Sequence, residues 1–175
     1  LNPASSCAAS DQTATPANPG EVLSRALAPE VPLIIFANEF FDALPVDLVG
    51  EHGQLCIAMD EGRLKEIWAP ASAQQLEFLD RCSVHPEPGE RLEVPLIAQR
   101  WMSNVSRLLQ SGFLAVIDYG YTRAEQLAGR HRGTLAAFRQ HSMSTNPYEA
   151  PGEQDLTSHV NFTALSAAAE QEGVQ

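Results

Sequence analysis

Residues 31–49, VPLIIFANEFFDALPVDLV, decide how this chain is read. An apolar run breaks abruptly into a cluster of acidic, amide and aromatic residues. Leu33, Ile34, Ile35 and Phe36 are uninterrupted by charge, which suits a strand over residues 31–37 covered on both faces, as in a parallel sheet. Asn38, Glu39 and Asp42 then arrive where that strand would end, the edge at which open α/β sheets hold their ligands. A purely structural loop has no need of carboxylates on either side of Phe40 and Phe41.

A second apolar strand is expected over residues 113–117, and it too runs into a charged, aromatic turn, Asp118-Tyr119-Gly120-Tyr121. Before it, Pro95 suits the first position of a helix reaching about Gln110, with Ile97, Trp101, Val105 and Leu108-Leu109 at helical spacing. Gly112 closes that helix. Helix, glycine, apolar strand and acidic turn are the grammar of a βαβ unit.

Between the two apolar strands, residues 46–51, 55–59 and 63–68 read as short strands divided by His52-Gly53-Gln54 and Asp60-Glu61-Gly62, a small antiparallel meander. A helical pattern over 73–82 and a Pro/Gly-rich loop through Gly89 follow. Further on, residues 133–138 suggest another strand, and a loop runs from Gln140 to Leu156. A helix is expected over 162–172, with Asn161 as N-cap and Gly173 as the residue that ends it. Upstream, residues 1–20 are rich in Ala, Ser, Pro and Asn and read as a linker or disordered lead; residues 21–28 suit a short helix. One domain over 21–175 is the expectation, and the unfinished look of both ends suggests a fragment of a longer protein.

Composition narrows the function. Eleven basic against 22 acidic residues give a formal net charge of −11, which argues against nucleic acid or an anionic membrane as partner. Lys65 is the single lysine. Cys7, Cys56 and Cys82 are odd in number and widely spaced, so a reducing cytoplasm fits better than a disulfide framework. No apolar run approaches the ~20 residues of a membrane span.

Glu39 and Asp42 are the leading candidates for chemistry. Paired carboxylates can clamp a guanidinium, whose planar donors match their oxygens; they can also serve as acid and base or bind a divalent cation. The structural alternative has Asp42 capping a turn and Glu39 pairing with a nearby arginine. Asp118, with Tyr119 and Gly120, is the matching feature on the second strand. In residues 152–162 His159 could contact a substrate, while Thr157 and Asn161 could equally be caps. Cys82 and His85, with His52 and Cys56 elsewhere, do not complete a metal motif, so no metal is expected. The chain has no G-x-S-x-G elbow, no G-x-G-x-x-G and no P-loop, so a glycine-rich cofactor cradle would lie outside these residues.

Residues 37–46, ANEFFDALPV, resemble the signature of the MidA-type S-adenosylmethionine-dependent methyltransferases, a family that includes the mitochondrial protein arginine methyltransferase assisting complex I assembly. Residues 112–120 (GFLAVIDYG), 133–141 (GTLAAFRQH) and 151–162 (PGEQDLTSHVNF) follow in the family's order. The resemblance implies part of a class I, Rossmann-like methyltransferase sheet, the two apolar strands being its fourth and fifth, with the antiparallel meander inserted between them. The N-terminal half with its glycine loop would precede Leu1, and the fragment alone would be inactive.

The implied activity is S-adenosylmethionine-dependent methylation of an arginine on a protein partner, a respiratory complex I-type subunit. Glu39 and Asp42 would be catalytic, Asn38, Phe40, Asp118, Tyr119 and His159 would bind substrate, and Asn38 and Glu39 would also touch cofactor. The setting would be bacterial cytoplasm or mitochondrial matrix; oligomeric state stays open. At Asn161 relatives usually carry Asp. Two other readings compete: a non-catalytic assembly or binding factor that holds an arginine-bearing partner, and a metal-dependent hydrolase using Glu39, Asp42 and Asp118.

Overall fold

The computed structural model describes residues 32–130, 133–139, 142–144 and 146–174. The expected lead over 1–20 and helix over 21–28 lie outside them.

The two apolar runs become strands Leu33–Asn38 (β1) and Gly112–Ile117 (β6), which pair in parallel from Leu33 opposite Gly112 to Asn38 opposite Ile117. Gly112 is there of necessity. Its φ is +123°, and a Cβ on it would lie 1.8 Å from the Leu33 carbonyl oxygen. The crossover between these strands carries Asp47–Gly50 (β2), Gly53–Asp60 (β3), Arg63–Ala69 (β4), the helix Ala73–Cys82 (α1), Arg91–Val94 (β5) and the helix Leu96–Leu108 (α2). The β-strands among them form an antiparallel sheet in the order β4-β3-β2-β5. Its fourth strand, β5, was not expected from the sequence, where two charges and a neighbouring proline disguise it.

One face of this meander carries Val49, Leu92 and Val94, which pack with Phe78 and Leu79 of α1 and with Val84. A reciprocal cap starts α1: Ser72 Oγ accepts from Gln75 N at 3.3 Å, and Gln75 Oε1 accepts from Ser72 N at 2.8 Å. The Gln75 amide then donates to Asp47 Oδ2 at 2.9 Å, tying α1 to β2.

Beyond β6 come Gly120–Tyr121 (β7), a short helix Arg123–Leu127 (α3), Ala136–Arg139 (β8), Ser142–Ser144 (β9), Asp155–Thr157 (β10), Val160–Asn161 (β11) and the helix Phe162–Gln171 (α4). The stretch expected as a loop from Gln140 to Leu156 therefore contains β9 and the start of β10; both pair with β8, in the antiparallel order β10-β8-β9. β11 pairs in parallel with β7. Asn161 caps α4 as expected, its Oδ1 accepting from Ala164 N at 3.0 Å. Asn serves that role as well as Asp does.

Helices α2 and α4 lie together against one face of the parallel pair: Ala98, Met102, Leu165 and Ala168 form a cluster with Phe41 and Val160, joined by Ala37, Leu114 and Val116. β1 was expected to be covered on both faces, and the described residues cover one of them. Among the described residues nothing covers the opposite face, where Ile34 is 79%, Phe36 62%, Phe113 74% and Ile117 54% exposed.

Candidate functional site

Everything of chemical interest gathers where β1 and β6 end. Glu39 follows the last residue of β1 with φ +46°, in the left-handed region that non-glycine residues occupy at a cost. Its backbone N–H donates to Ile117 O at 2.9 Å, so the unusual residue is pinned to β6. Among the described residues two other non-glycine residues share positive φ, but Glu61 sits in the β3–β4 turn and Ser83 at the end of α1, where such conformations are routine. Glu39 has no such excuse.

Asp118 organises the turn that follows. Its Oδ2 accepts from Phe41 N at 2.9 Å and Asp42 N at 3.3 Å, and its Oδ1 accepts from Tyr119 N at 2.9 Å. A carboxylate receiving three backbone N–H groups is a strong clamp. Phe41 is buried, and the Phe40 ring packs edge-on against Phe41 at 5.1 Å and Trp101 at 5.4 Å. The segment before α4 laces onto both turns: Ser158 N donates to Asp42 O at 3.0 Å, and Val160 N to Tyr119 O at 2.8 Å.

Asp42 is held with its carboxyl proton affinity raised. Burial is the main cause, the neighbouring carboxylates Asp118 and Glu39 add to it, and the Ala43 backbone N–H opposes it. Its Oδ1 is buried and, among the described residues, meets no hydrogen-bond donor. An ionised oxygen in that position suits a cation.

Glu39 and Asp42 open into a groove of about 850 Å³. Leu48, Leu55 and Ile57 line it from the meander; Leu135, Pro147, Tyr148 and residues 154–158 line it from the other side. The strand register puts Leu48, Leu55 and Ile57 on one face, opposite the face packed on α1. Two carboxylates tie the far wall across that face. Buried Glu93 accepts through Oε1 from the N–H groups of Thr134 and Leu135. Glu66 accepts from the Tyr148 hydroxyl at 2.8 Å while Arg91 grips it with two nitrogens at 2.7 and 2.6 Å. The Arg91 guanidinium holds Glu66 below the usual carboxylate range, and burial with Glu66 pushes Tyr148 up to about 12.

The other residues singled out from sequence are distributed around this centre. Asn38 ends β1 and is exposed, as is Tyr119 beside Asp118. His159 is exposed, does not line the groove, and its backbone N–H donates to Thr134 Oγ1 at 2.9 Å. Sequence reasoning missed Glu66, Glu93, Tyr148 and Gln154, which shape the groove from strands and loops that carry no motif. Only the polar block over 152–162 signalled that part of the wall.

A parallel strand pair ending in an acidic turn, with a meander set into its crossover, defines a mixed α/β domain of the kind that holds ligands at the carboxyl ends of its strands. The family profile described as "Putative S-adenosyl-L-methionine-dependent methyltransferase" matches residues 21–175, and the chain belongs to that family, whose cofactor is S-adenosyl-L-methionine. It is 30% identical over 154 residues to the mitochondrial protein arginine methyltransferase NDUFAF7 homolog of Drosophila melanogaster, covering 80% of this chain and 33% of that protein. Against mitochondrial NDUFAF7 of Rattus norvegicus the figures are 29% over 143 residues, 77% and 30%. Among solved structures, a COG1565 superfamily member from Burkholderia thailandensis bound to S-adenosyl-homocysteine matches with a TM-score of 0.70 at 28% identity, over 84% of this chain and 39% of that one. A native structure of a COG1565 superfamily protein from the same organism gives 0.72 at 27%, over 84% and 41%. The chain thus spans about a third of the length of the curated relatives it matches.

Proposed function

We propose that this chain forms the acceptor side of a protein arginine N-methyltransferase, in which Glu39 and Asp42 grip the substrate guanidinium. The observation that carries this reading is Glu39 itself: an acidic residue kept in a left-handed conformation at the end of β1, beside a second carboxylate with a buried oxygen lacking a donor. Strain of this kind persists where the surroundings over-determine it, commonly at functional sites. The names of the Drosophila and rat relatives support arginine as the acceptor.

When bound, S-adenosylmethionine supplies a methyl group activated on a cationic sulfur. Asn38 and Glu39 are the residues of this chain proposed to reach it; no glycine-rich cradle occurs in this sequence. A guanidinium is a poor nucleophile because its lone pairs are delocalised. Glu39 and Asp42 would fix its plane and draw positive charge towards the nitrogens they contact, leaving more electron density on the reacting one. Positioning of this sort supplies much of a transfer rate. The Asp42 carboxylate would take up the proton that the guanidinium releases. Phe40, partly exposed at the turn but outside the groove lining, would meet the substrate at its edge, Asp118 would hold the turn in shape, and Tyr119 and His159 would meet the substrate further out. The protein partner is proposed to be a respiratory complex I-type subunit, in bacterial cytoplasm or mitochondrial matrix.

The test is methyl transfer by the full-length protein with a Glu39→Gln substitution. A fall of about a hundredfold or more in kcat, with cofactor binding retained in calorimetry, is expected for a residue acting on the acceptor. Unchanged transfer with an intact fold would end the clamp idea.

A further inference from the structure

The groove is larger than one guanidinium requires, and the composition of its walls says what else enters it. Its volume lies towards the upper end of the ~300–1,000 Å³ found for ligand sites. Next to the acidic end, the meander presents Leu48, Leu55 and Ile57, and Leu135, Pro147 and Leu156 face them from the opposite wall. Ile57 and Leu156 are exposed although each is a large apolar side chain. Among the described residues the charged ones lining the groove are Glu39, Asp42, Asp47 and Asp155, all of one sign. Asp47 accepts from the Gln75 amide, which leaves its charge in place but commits one of its oxygens. Gln154 adds a buried Oε1 that meets no donor among the described residues, its amide nitrogen being committed to Asn146 O at 3.1 Å.

The wall's shape is also specific. β10, which supplies Asp155, Leu156 and Thr157 to the lining, ends its three-stranded sheet among the described residues, with β8 on its other side. A sheet edge beside an apolar trough is the usual seat of an extended polypeptide. An acidic end, an apolar trough and a strand edge together match a stretch of chain in which a cation is followed or preceded by apolar side chains.

We propose that this groove takes the polypeptide around the target arginine in extended form, with an apolar side chain next to the arginine seated between Ile57 and Leu156. The substrate class is thus an arginine in an apolar, locally extended segment rather than an arginine flanked by polar or charged residues. This rests on Glu39 and Asp42 receiving the guanidinium.

The test measures binding of short fluorescent peptides to the full-length protein in the presence of S-adenosyl-homocysteine, by anisotropy. Three peptides share one background: Leu-Arg-Leu, Ser-Arg-Ser and Leu-Gln-Leu at the centre. The apolar flanks are expected to tighten binding about tenfold over the serine flanks, as burial of one aliphatic side chain allows. Ile57→Ser and Leu156→Ser, each checked for fold by circular dichroism, should abolish that preference, bringing Leu-Arg-Leu binding down towards that of Ser-Arg-Ser. Equal binding of the two arginine peptides, or a preference that survives both substitutions, overturns the proposal. Equal binding of Leu-Gln-Leu and Leu-Arg-Leu overturns instead the assignment of arginine to the acidic end, and leaves the apolar trough standing.

Discussion

The Asp118 carboxylate at the end of β6 accepts the backbone N–H of Phe41, 77 residues earlier in the chain, at 2.9 Å. One side chain from the second strand therefore sets the shape of the acidic turn after the first. The turn's two carboxylates, Glu39 and Asp42, are held by a third that is itself spent on backbone groups.

Replacing Asp118 by Ala should accordingly disturb the turn before it disturbs anything else. Three backbone N–H groups lose their acceptor, at a cost of about 1–3 kcal/mol to the folded state. Asp118→Asn, which keeps one acceptor oxygen, should fall between the two. Urea unfolding of the three proteins gives this order directly, and an alanine variant as stable as the parent would show that water replaces the carboxylate.

Glu39 predicts opposite effects on stability and on transfer. Glycine relieves the left-handed conformation, so Glu39→Gly should raise stability by up to about 1 kcal/mol, while Glu39→Gln keeps the strain and changes it little. Both variants lack the carboxylate, and both should lose methyl transfer in the full-length protein. Thermal unfolding separates them; a glycine variant less stable than the parent would mean that the Glu39 side chain holds the turn through contacts of its own.

The parts of this fold that could be read in advance are those whose signal is local. Apolar runs located β1 and β6 to within two residues, a helical pattern located α1 at its observed bounds, and a polar side chain before an apolar stretch marked Asn161 as a cap. β5 was hidden because Arg91 and Glu93 look like loop residues until their partners, Glu66 for the one and two backbone N–H groups for the other, are brought from far along the chain. The same holds for the site. Glu39, Asp42 and Asp118 stood out by their place at strand ends, yet the role of Asp118 as a backbone clamp depends on two turns meeting. Tyr148 carries no pattern at all, and Gln154 was visible only as one member of the polar block over 152–162. Exposure of Ile34 and Phe36 could not be read from β1 either, since a charge-free run looks the same with one face covered or two.

Gly120 provides a close approach of two backbones. A Cβ there would sit 2.2 Å from Val160 O and 2.5 Å from the Phe162 ring, where β7 pairs with β11. Backbone cannot yield as a side chain would. Gly120→Ala should cost about 1–3 kcal/mol and loosen the link between the Asp118 turn and α4. Hydrogen exchange at Val160 and Tyr121 should rise in step; a variant with unchanged exchange and stability would show that the two strands can part without loss.

Asp42 makes the pH dependence of this site specific in sign. Burial and the carboxylates of Asp118 and Glu39 raise its proton affinity in the folded chain above that in the unfolded one. An acid shifted in this direction favours folding while protonated. Its penalty is absent below the ordinary carboxylate value near ~4, grows as pH rises from there to the raised value, and is constant above it. Asp42→Asn removes the ionisation, so the variant and the parent should be equally stable in acid and the variant should be the more stable at neutral pH. Partial exposure keeps the difference under about 1 kcal/mol. An arginine in the groove would reverse the balance by favouring the ionised form, so affinity for the arginine peptide should weaken as pH falls through the raised value, and Asp42→Asn should flatten that slope. Urea midpoints and peptide anisotropy across one pH series measure both effects, and a parent more stable than Asp42→Asn at neutral pH would show that the ionised carboxylate is satisfied where it lies.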